Sequence, residues 1–421
     1  MAQARLALAP ETVVCACAFA MVTAVRVILS APGRGYREVN IENAMTVWGL
    51  IEKARTVIGR PVVGLIFDGK ILQPLHFLIS EANITDNSII QVVMGNDLQL
   101  YATLRAFAAV KSDGSAVTWG HAGSGGDSTG VQDQLSAIQH MYSTETAFAA
   151  LKADGSVVTW GEAECGGDST AVQDQLELIK RICSTDSAFA ALKTDGTIVT
   201  WGRAECGGNS RAVQKQLANI LDVYSTREAF AAVKADGSVV TWGHAMFGGD
   251  STPVQEELVD IQHIHSTDDA FAAVKVSGRV VTWGRAVSGG DSTAVRDQLT
   301  NIQHVYSSDH AFAAVKVNGS VVTWGRAGSG GDSTAVQDQL ADIQHIYSTR
   351  EAFAAMKFSG SVITWGAAWD GGDSTAVRDQ LAYSGIQHIY STARAFAAIK
   401  SDCSVVSWGN AAGGDSTAVQ D

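Results

Sequence analysis

Seven Trp-Gly pairs, beginning at Trp119, Trp160, Trp201, Trp242, Trp283, Trp324 and Trp365, stand 41 residues apart, and an eighth at Trp408 follows after 43. A constant period of this size restricts the fold to a stack or ring of small units. One such unit has too little interior to hide its own apolar faces and must lean on its neighbours. The longer last step comes from an insertion, Ala382-Tyr383-Ser384-Gly385. Eight copies fill residues 95–421.

Within a copy, AFAALKADGSVVTWG (residues 147–161) places two runs of small and β-branched residues on either side of Asp-Gly, the pattern of a hairpin. Phe148 and Ala150 point one way and Ala149 and Leu151 the other, so both faces of the strand are apolar and both need cover. A third strand, IQHIYST in its clearest copies, precedes the hairpin. Residues 330–343, GGDSTAVQDQLADI, carry Val336, Leu340 and Ile343 at helical spacing, which predicts one short helix. Thr334 with Gln337 reads as a capping box, and another copy has Pro253 at the first helical position. Each unit is therefore expected to be three strands and a short helix.

The chain ahead of the repeats has a different texture. VRVILSA and REVNIE alternate around a Gly-rich turn, TVWGLIEKARTVIG carries Val47, Ile51 and Ala54 at helical spacing, and two strand-like runs follow. The order hairpin, helix, strand, strand suits a small α+β roll over residues 24–94. Residues 1–23 read as an N-terminal extension. Their apolar run Val13–Thr23, with Ala18 and Ala20 placed as at a cleavage site, offers a targeting peptide as the alternative, against which stand the single Arg5 and the acidic Glu11.

Two resemblances attach to these motifs. LIFDGKIL (65–72) and NITDNSIIQVVM (83–94) resemble ubiquitin-like domains of the β-grasp fold. That resemblance implies a partner-binding apolar patch at Ile66 and Val93, with Gly69 permitting the tight turn beside them. Pro32 at the hairpin tip departs from the family, and so does Met94 running into Gly95-Asn96-Asp97 instead of an Arg-Gly-Gly tail. A recognition module, not a conjugated modifier, is implied. The 41-residue unit resembles the regulator of chromosome condensation repeat, whose propellers usually have seven blades and serve as protein-binding platforms. Some members exchange nucleotide on a small GTPase and others belong to large ubiquitin ligases. Here the unit is short, there are eight copies, and GGDS replaces Gly-Gln-Leu-Gly after Trp-Gly. The expected fold is mainly β: a β-propeller of eight short blades, with seven as the alternative, preceded by a small β-grasp domain.

Charge narrows the partners. With 30 Lys and Arg against 43 Asp and Glu, a formal charge of -13, and no basic run, neither nucleic acid nor a membrane surface is expected as a partner. Cys15, Cys17, Cys165, Cys183, Cys206 and Cys403 show no disulfide framework and no metal-type spacing. No P-loop, dinucleotide fingerprint or Ser/His/Asp arrangement stands out, so no enzyme, catalytic residue, cofactor or metal is expected. The recurring GGDS aspartates lie too far apart for a calcium β-roll and should bond turn amides. The lysine ending each first hairpin strand, from Lys111 to Lys400, reads as solvated edge protection.

Variation between copies concentrates in two loops that a hairpin brings to one rim. Glu164, Arg203, Met246, Phe247 and Trp369 lie in the loop after Trp-Gly. Arg227, Glu228, Asp268, Asp269, Asp309, His310, Arg350, Glu351 and Arg394 lie after the Ser-Thr pair. Aromatic, Met and Arg residues beside charges suit a protein interface. The expected function is a non-enzymatic interaction scaffold, monomeric, cytoplasmic or nuclear, working with ubiquitin-pathway proteins. Nucleotide exchange on a small GTPase is the alternative, and lectin-like glycan binding a lower one.

Overall fold

The computed structural model describes residues 24–31, 35–42, 50, 53–54, 62–67, 70–71, 88–94, 98–382 and 385–414. The extension at 1–23 with its targeting alternative, the link at 95–97, Val47, Ile51 and Gly69 lie outside them. Two compact units emerge, Met1–Leu98 and Gln99–Asp421.

In the first unit, strands β1 (Ala24–Ala31), β2 (Gly35–Glu42), β3 (Val62–Phe67), β4 (Lys70–Ile71) and β5 (Ser88–Met94) form one sheet in the order β2-β1-β5-β3-β4. β1 pairs antiparallel with β2 and parallel with β5. A parallel neighbour demands a crossover. The helical residues Leu50, Lys53 and Ala54 lie within it, with Leu50 and Ala54 wholly buried one turn apart. This is the β-grasp order that the hairpin-helix-strand-strand pattern led us to expect.

The second unit is a propeller of eight three-stranded antiparallel blades. Blade 1 holds its strands within residues 99–120, and blades 2 to 8 within 138–161, 179–202, 220–243, 261–284, 302–325, 343–366 and 386–409. Blade 2 shows the plan, with strands Ile138–Ser143, Ala147–Lys152 and Val157–Gly161. Asp154 makes the hairpin turn by accepting the Ser156 amide at 2.9 Å, and Gly155 takes φ 82°. First strands of successive blades touch one another, which places them innermost.

Blades interlock through one repeated device. Phe189 stacks on Trp201 with ring centroids 5.1 Å apart, and the pair lies on Ala147, Ala149 and Leu151 of the blade before. Alanine on that strand leaves room for the rings, which explains the Ala-Phe-Ala-Ala motif. The indole of Trp201 donates to the Gly166 carbonyl of the preceding blade at 3.0 Å. Gly166 sits at φ 96°, and a Cβ there would lie 2.7 Å from Phe189 Cε2. Burying one such ring removes roughly 150–250 Å² from water, which at about 25 cal/mol/Å² is at most about 4–6 kcal/mol. A single excised blade has no such seat.

Two local expectations are corrected. The segment after GGDS forms a 3-10 turn, as over Thr334–Gln339, and a short α-helix appears among the described residues of the repeats only at Arg378–Ala382 and Ala411–Gly414. Nor does Thr334 cap it with Gln337. Gln337 instead accepts from Ser333 Oγ at 2.8 Å and donates to the Val321 carbonyl at 3.1 Å, bridging the turn to the outer strand. Thr334 is occupied by Asp332, which accepts its amide at 2.9 Å, so the aspartates bond the turn as expected. Pro253 does stand in the first turn of its segment.

Seven Phe–Trp stacks are seated and one is not. Among the described residues, buried clusters join each blade to the next from 1 to 8, and none joins 8 to 1. Phe107 and Trp119 of blade 1 stack at 5.5 Å yet remain 48% and 45% exposed.

Candidate protein-binding rim

The loop after each first strand and the loop after each Trp-Gly share one rim, because the middle strand begins where the outer strand ends, Ala147 opposite Gly161. Thr144 Oγ1 fastens the two loops together by donating to the Cys165 carbonyl at 3.0 Å. The same bond recurs at Thr185 with Cys206 and at Thr226 with Phe247.

The first residue after Ser-Thr faces the axis. Its backbone forms a ladder around the ring: the Leu104 amide donates to the Glu145 carbonyl, Glu145 to Asp186, and onward through Arg227, Asp268, Asp309 and Arg350 to Ala393, each at 2.8–3.0 Å. This ladder and the neighbouring Ser and Thr residues line a cavity of about 620 Å³. Arg227 Nε lies 2.8 Å from Asp186 Oδ2 and its guanidinium 4.0 Å from Asp268. Burial and then the neighbouring Asp309 push the Asp268 carboxyl up to about 6. Burial likewise raises Asp309, against the Arg350 charge beside it. The mouth thus gathers Glu145, Asp186, Asp268 and Asp309 against Arg227 and Arg350, an excess of acid.

The second residue after Ser-Thr turns toward the Trp-Gly loop. Asp269 is almost wholly buried, accepting from Ser288 Oγ at 3.0 Å and lying 3.3 Å from Arg285. Arg394 reaches to 3.8 Å from the buried Asp370, and Arg326 to 4.0 Å from Glu351. Such pairs order the rim more than they stabilise it. His310 Nδ1 lies 3.8 Å from Asp269 and 3.5 Å from Ser288, so a serine, a histidine and an aspartate do meet here. They lack the logic of a nucleophilic triad, since the Ser288 hydroxyl donates its hydrogen bond to the carboxylate and is 2% exposed.

The structure thus splits the residues singled out in the sequence into three groups. Arg227, Asp268, Asp309 and Arg350 surround the mouth, whereas Glu228, Asp269, His310, Glu351 and Arg394 hold the rim loops. Glu164, Arg203, Met246 and Trp369 lie exposed above them, with Met246 57% and Trp369 77% exposed. Phe247 was expected to be exposed and is not. It packs against the core between blades 4 and 5, while His244 meets its ring edge at 4.8 Å. Glu145 and Asp186 were missed. Their alignment with Arg227 in the repeat was the available signal. The lysines lie at the opposite ends of the strands, where Lys275 and Lys316 donate to the Glu257 and Gln298 carbonyls at 2.9 and 3.0 Å. In the first unit, Ile66 pairs with Gln91 and Val93 with Gly64 across two adjacent strands.

No protein-family model matches the chain, and no curated protein matches it. Among solved structures, the yeast RCC1 protein Prp20p from Saccharomyces cerevisiae is similar at 13% identity and a TM-score of 0.37, over 65% of this chain and 83% of that one. The computationally designed Ika8 protein is similar at 13% identity and a TM-score of 0.33, over 74% of this chain and 95% of that one. A ubiquitin-like domain of an Arabidopsis thaliana protein is similar at 25% identity and a TM-score of 0.17, over 18% of this chain and 84% of the domain. By the strand order and blade packing described above, the two units are a propeller of three-stranded blades and a sheet of β-grasp strand order.

Proposed function

We propose that the chain is a non-enzymatic scaffold that holds protein partners on the variable rim of its propeller, in a ubiquitin-linked setting provided by its β-grasp unit. One observation carries the rim. The third position after Trp-Gly reads Gly123, Glu164, Glu205, Met246, Val287, Gly328 and Trp369, every one exposed, above framework residues that repeat nearly unchanged and are buried. Packing holds the frame constant, and only the outward position is free to differ. Large apolar side chains there, beside Arg285 and Arg326, have the composition of an interface core and its rim. The ubiquitin link rests on the β-grasp strand order and on the patch that the family resemblance assigns to Ile66, Gly69 and Val93.

The test is affinity capture by the full chain, with bound proteins identified by mass spectrometry. Trp369→Arg combined with Met246→Asp should remove rim partners without moving the melting temperature, since both side chains are mostly solvated. Ile66→Ala should remove ubiquitin-pathway proteins. A partner set unchanged by all three substitutions overturns the proposal.

A further inference from the structure

One glutamine side chain recurs in five blades and is replaced in two, where its hydrogen-bond partners stay in place. Gln132, Gln173, Gln214, Gln255 and Gln337 each accept from the serine four residues before, at 2.8–3.0 Å. Each also donates to a carbonyl of its own outer strand at 3.0–3.1 Å. The carboxamide is thus held by its oxygen and by its nitrogen. After blades 5 and 7 the same position holds Arg296 and Arg378. A guanidinium has no acceptor and cannot receive the serine hydroxyl.

Both former partners remain in the same backbone setting. Thr282 and Thr364 donate to Ser292 and Ser374 at 2.9 and 2.8 Å, and neither serine hydroxyl has an acceptor of its own among the described residues. Lys357 donates to the Ser361 carbonyl at 2.9 Å, so the next pair, Met356 with Val362, turns its polar groups away from the hairpin. The Val362 carbonyl, the counterpart of the Val321 carbonyl, has no donor on it among the described residues. The Val377 amide donates to the Ser374 carbonyl at 3.0 Å, as the Val336 amide does to Ser333 at 2.9 Å, so the turn keeps its shape.

A groove opens at both places, of about 180 Å³ beside blade 5 and about 290 Å³ beside blade 7. Ser374 is half-buried there, whereas its counterparts in the five glutamine blades are 3–5% exposed. Half-buried Val336 and Ile363 line the larger groove. The two arginines differ in what they meet. Arg296 is held by Glu257 through two bonds of 2.8 Å. Beside Arg378 the place of Glu257 is taken by Gln339, and Arg378 is exposed with no ion pair among the described residues. Asp373 also lines this groove, but its Oδ1 already accepts the Thr375 amide at 2.9 Å and the Thr375 hydroxyl.

We infer that the groove beside blade 7 binds a glutamine side chain of a partner protein, in a segment that also carries a carboxylate for Arg378. The carboxamide is read from the five filled copies, and the carboxylate from Glu257 beside Arg296. Ser374 donates to the amide oxygen, the Val362 carbonyl accepts from the amide nitrogen, and the aliphatic stem lies along Val336 and Ile363. A glutamate in the seat would set an ionised oxygen against the Val362 carbonyl with no hydrogen between them, and a leucine would bury both polar groups unpaired. The groove follows the free edge of an outer strand, so it is a second surface, separate from the variable rim.

Calorimetric titration of the full chain at physiological salt with acetyl-Glu-Gln-Glu-amide tests this, with acetyl-Glu-Leu-Glu-amide as the equally charged control. Wild type should bind the glutamine peptide about tenfold more tightly than the control, the worth of two hydrogen bonds. Arg378→Gln gives Ser374 and Val362 a carboxamide of the chain's own, so it should bind the glutamine peptide about tenfold or more weakly while melting no lower than wild type. Ser374→Ala, which leaves the groove open, should also weaken the glutamine peptide and leave the control unchanged. Met246→Asp on the rim should leave this binding intact, so that loss of rim partners and loss of this site are read separately. A wild type that fails to bind the glutamine peptide overturns the inference. So does equal binding of the two peptides, or an Arg378→Gln that binds as wild type does.

Discussion

Two glycines in one loop separate seat from surface. Gly330 takes φ 96°, and a Cβ there would lie 2.7 Å from Phe353 Cε2 and 3.4 Å from Trp365 Nε1. Gly328, two residues earlier, has no positive φ and nothing within 4 Å of where its Cβ would stand. In Gly330→Ala the left-handed backbone costs about 1–2 kcal/mol. Displacing a wholly buried ring adds about 1–3 kcal/mol, for a total of about 2–5 kcal/mol. Gly328→Ala should instead stabilise by about 0.4–1 kcal/mol, by restricting the unfolded chain. Urea unfolding followed by tryptophan fluorescence reads both, as a shift in midpoint at unchanged slope. If the two variants fall within about 0.5 kcal/mol of each other, the size of a neutral surface change, the ring seat is not what the glycine serves.

Cys403 holds φ 67° in the eighth hairpin turn, where the other seven have glycine at 74–82°, so Cys403→Gly should raise stability by about 1 kcal/mol, read as a higher melting temperature. Burial, with His263 and His304 nearby, holds His265 down to about 4 against an ordinary 6.5. Its stabilising neutral form is therefore fully effective above 6.5 and lost as pH falls toward 4. His265→Tyr, the residue found there in blades 1, 2, 4, 6, 7 and 8, should retain about 1–2 kcal/mol more stability than wild type near pH 5 and match it above pH 7. Asp268 has the opposite sign: its raised carboxyl favours folding when protonated, a contribution lost as pH rises through about 6. With its side chain 33% exposed, Asp268→Asn should stabilise by about 1 kcal/mol near pH 8 and by nothing near pH 4, in paired thermal melts.

Much of this architecture is legible in the residues. The Trp-Gly period sets the number of blades, Asp-Gly sets the hairpins, and alanine on both faces of the middle strand announces burial on both sides. The β-grasp order follows from a hairpin, a helix and two strands. What escapes is what depends on neighbours. Val336, Leu340 and Ile343 have helical spacing, yet Gln337 is drawn to the Val321 carbonyl of its own blade, and the segment tightens into a 3-10 turn. Phe247 looks like a variable surface residue, but the ring falls toward the gap between two blades. The loop after Ser-Thr alternates between axis and rim, so Asp268 and Asp269, adjacent in the chain, meet different surroundings. The shortened Gly409–Gly414 loop is visible as a missing residue. That each indole seeks a glycine carbonyl of the blade before, as Trp201 does with Gly166, is written in no single repeat.

Hydrogen exchange on Gly330→Ala tests most directly whether blades are stable only through one another. Gly330 belongs to blade 6, and the rings it seats, Phe353 and Trp365, belong to blade 7. Shared stability predicts that amides of Ala311–Lys316 in blade 6 and Ala352–Lys357 in blade 7 lose protection together and by similar free energies. Faster exchange confined to one of the two strands, with the other as protected as in wild type, would show that each blade stands by itself and would contradict the account.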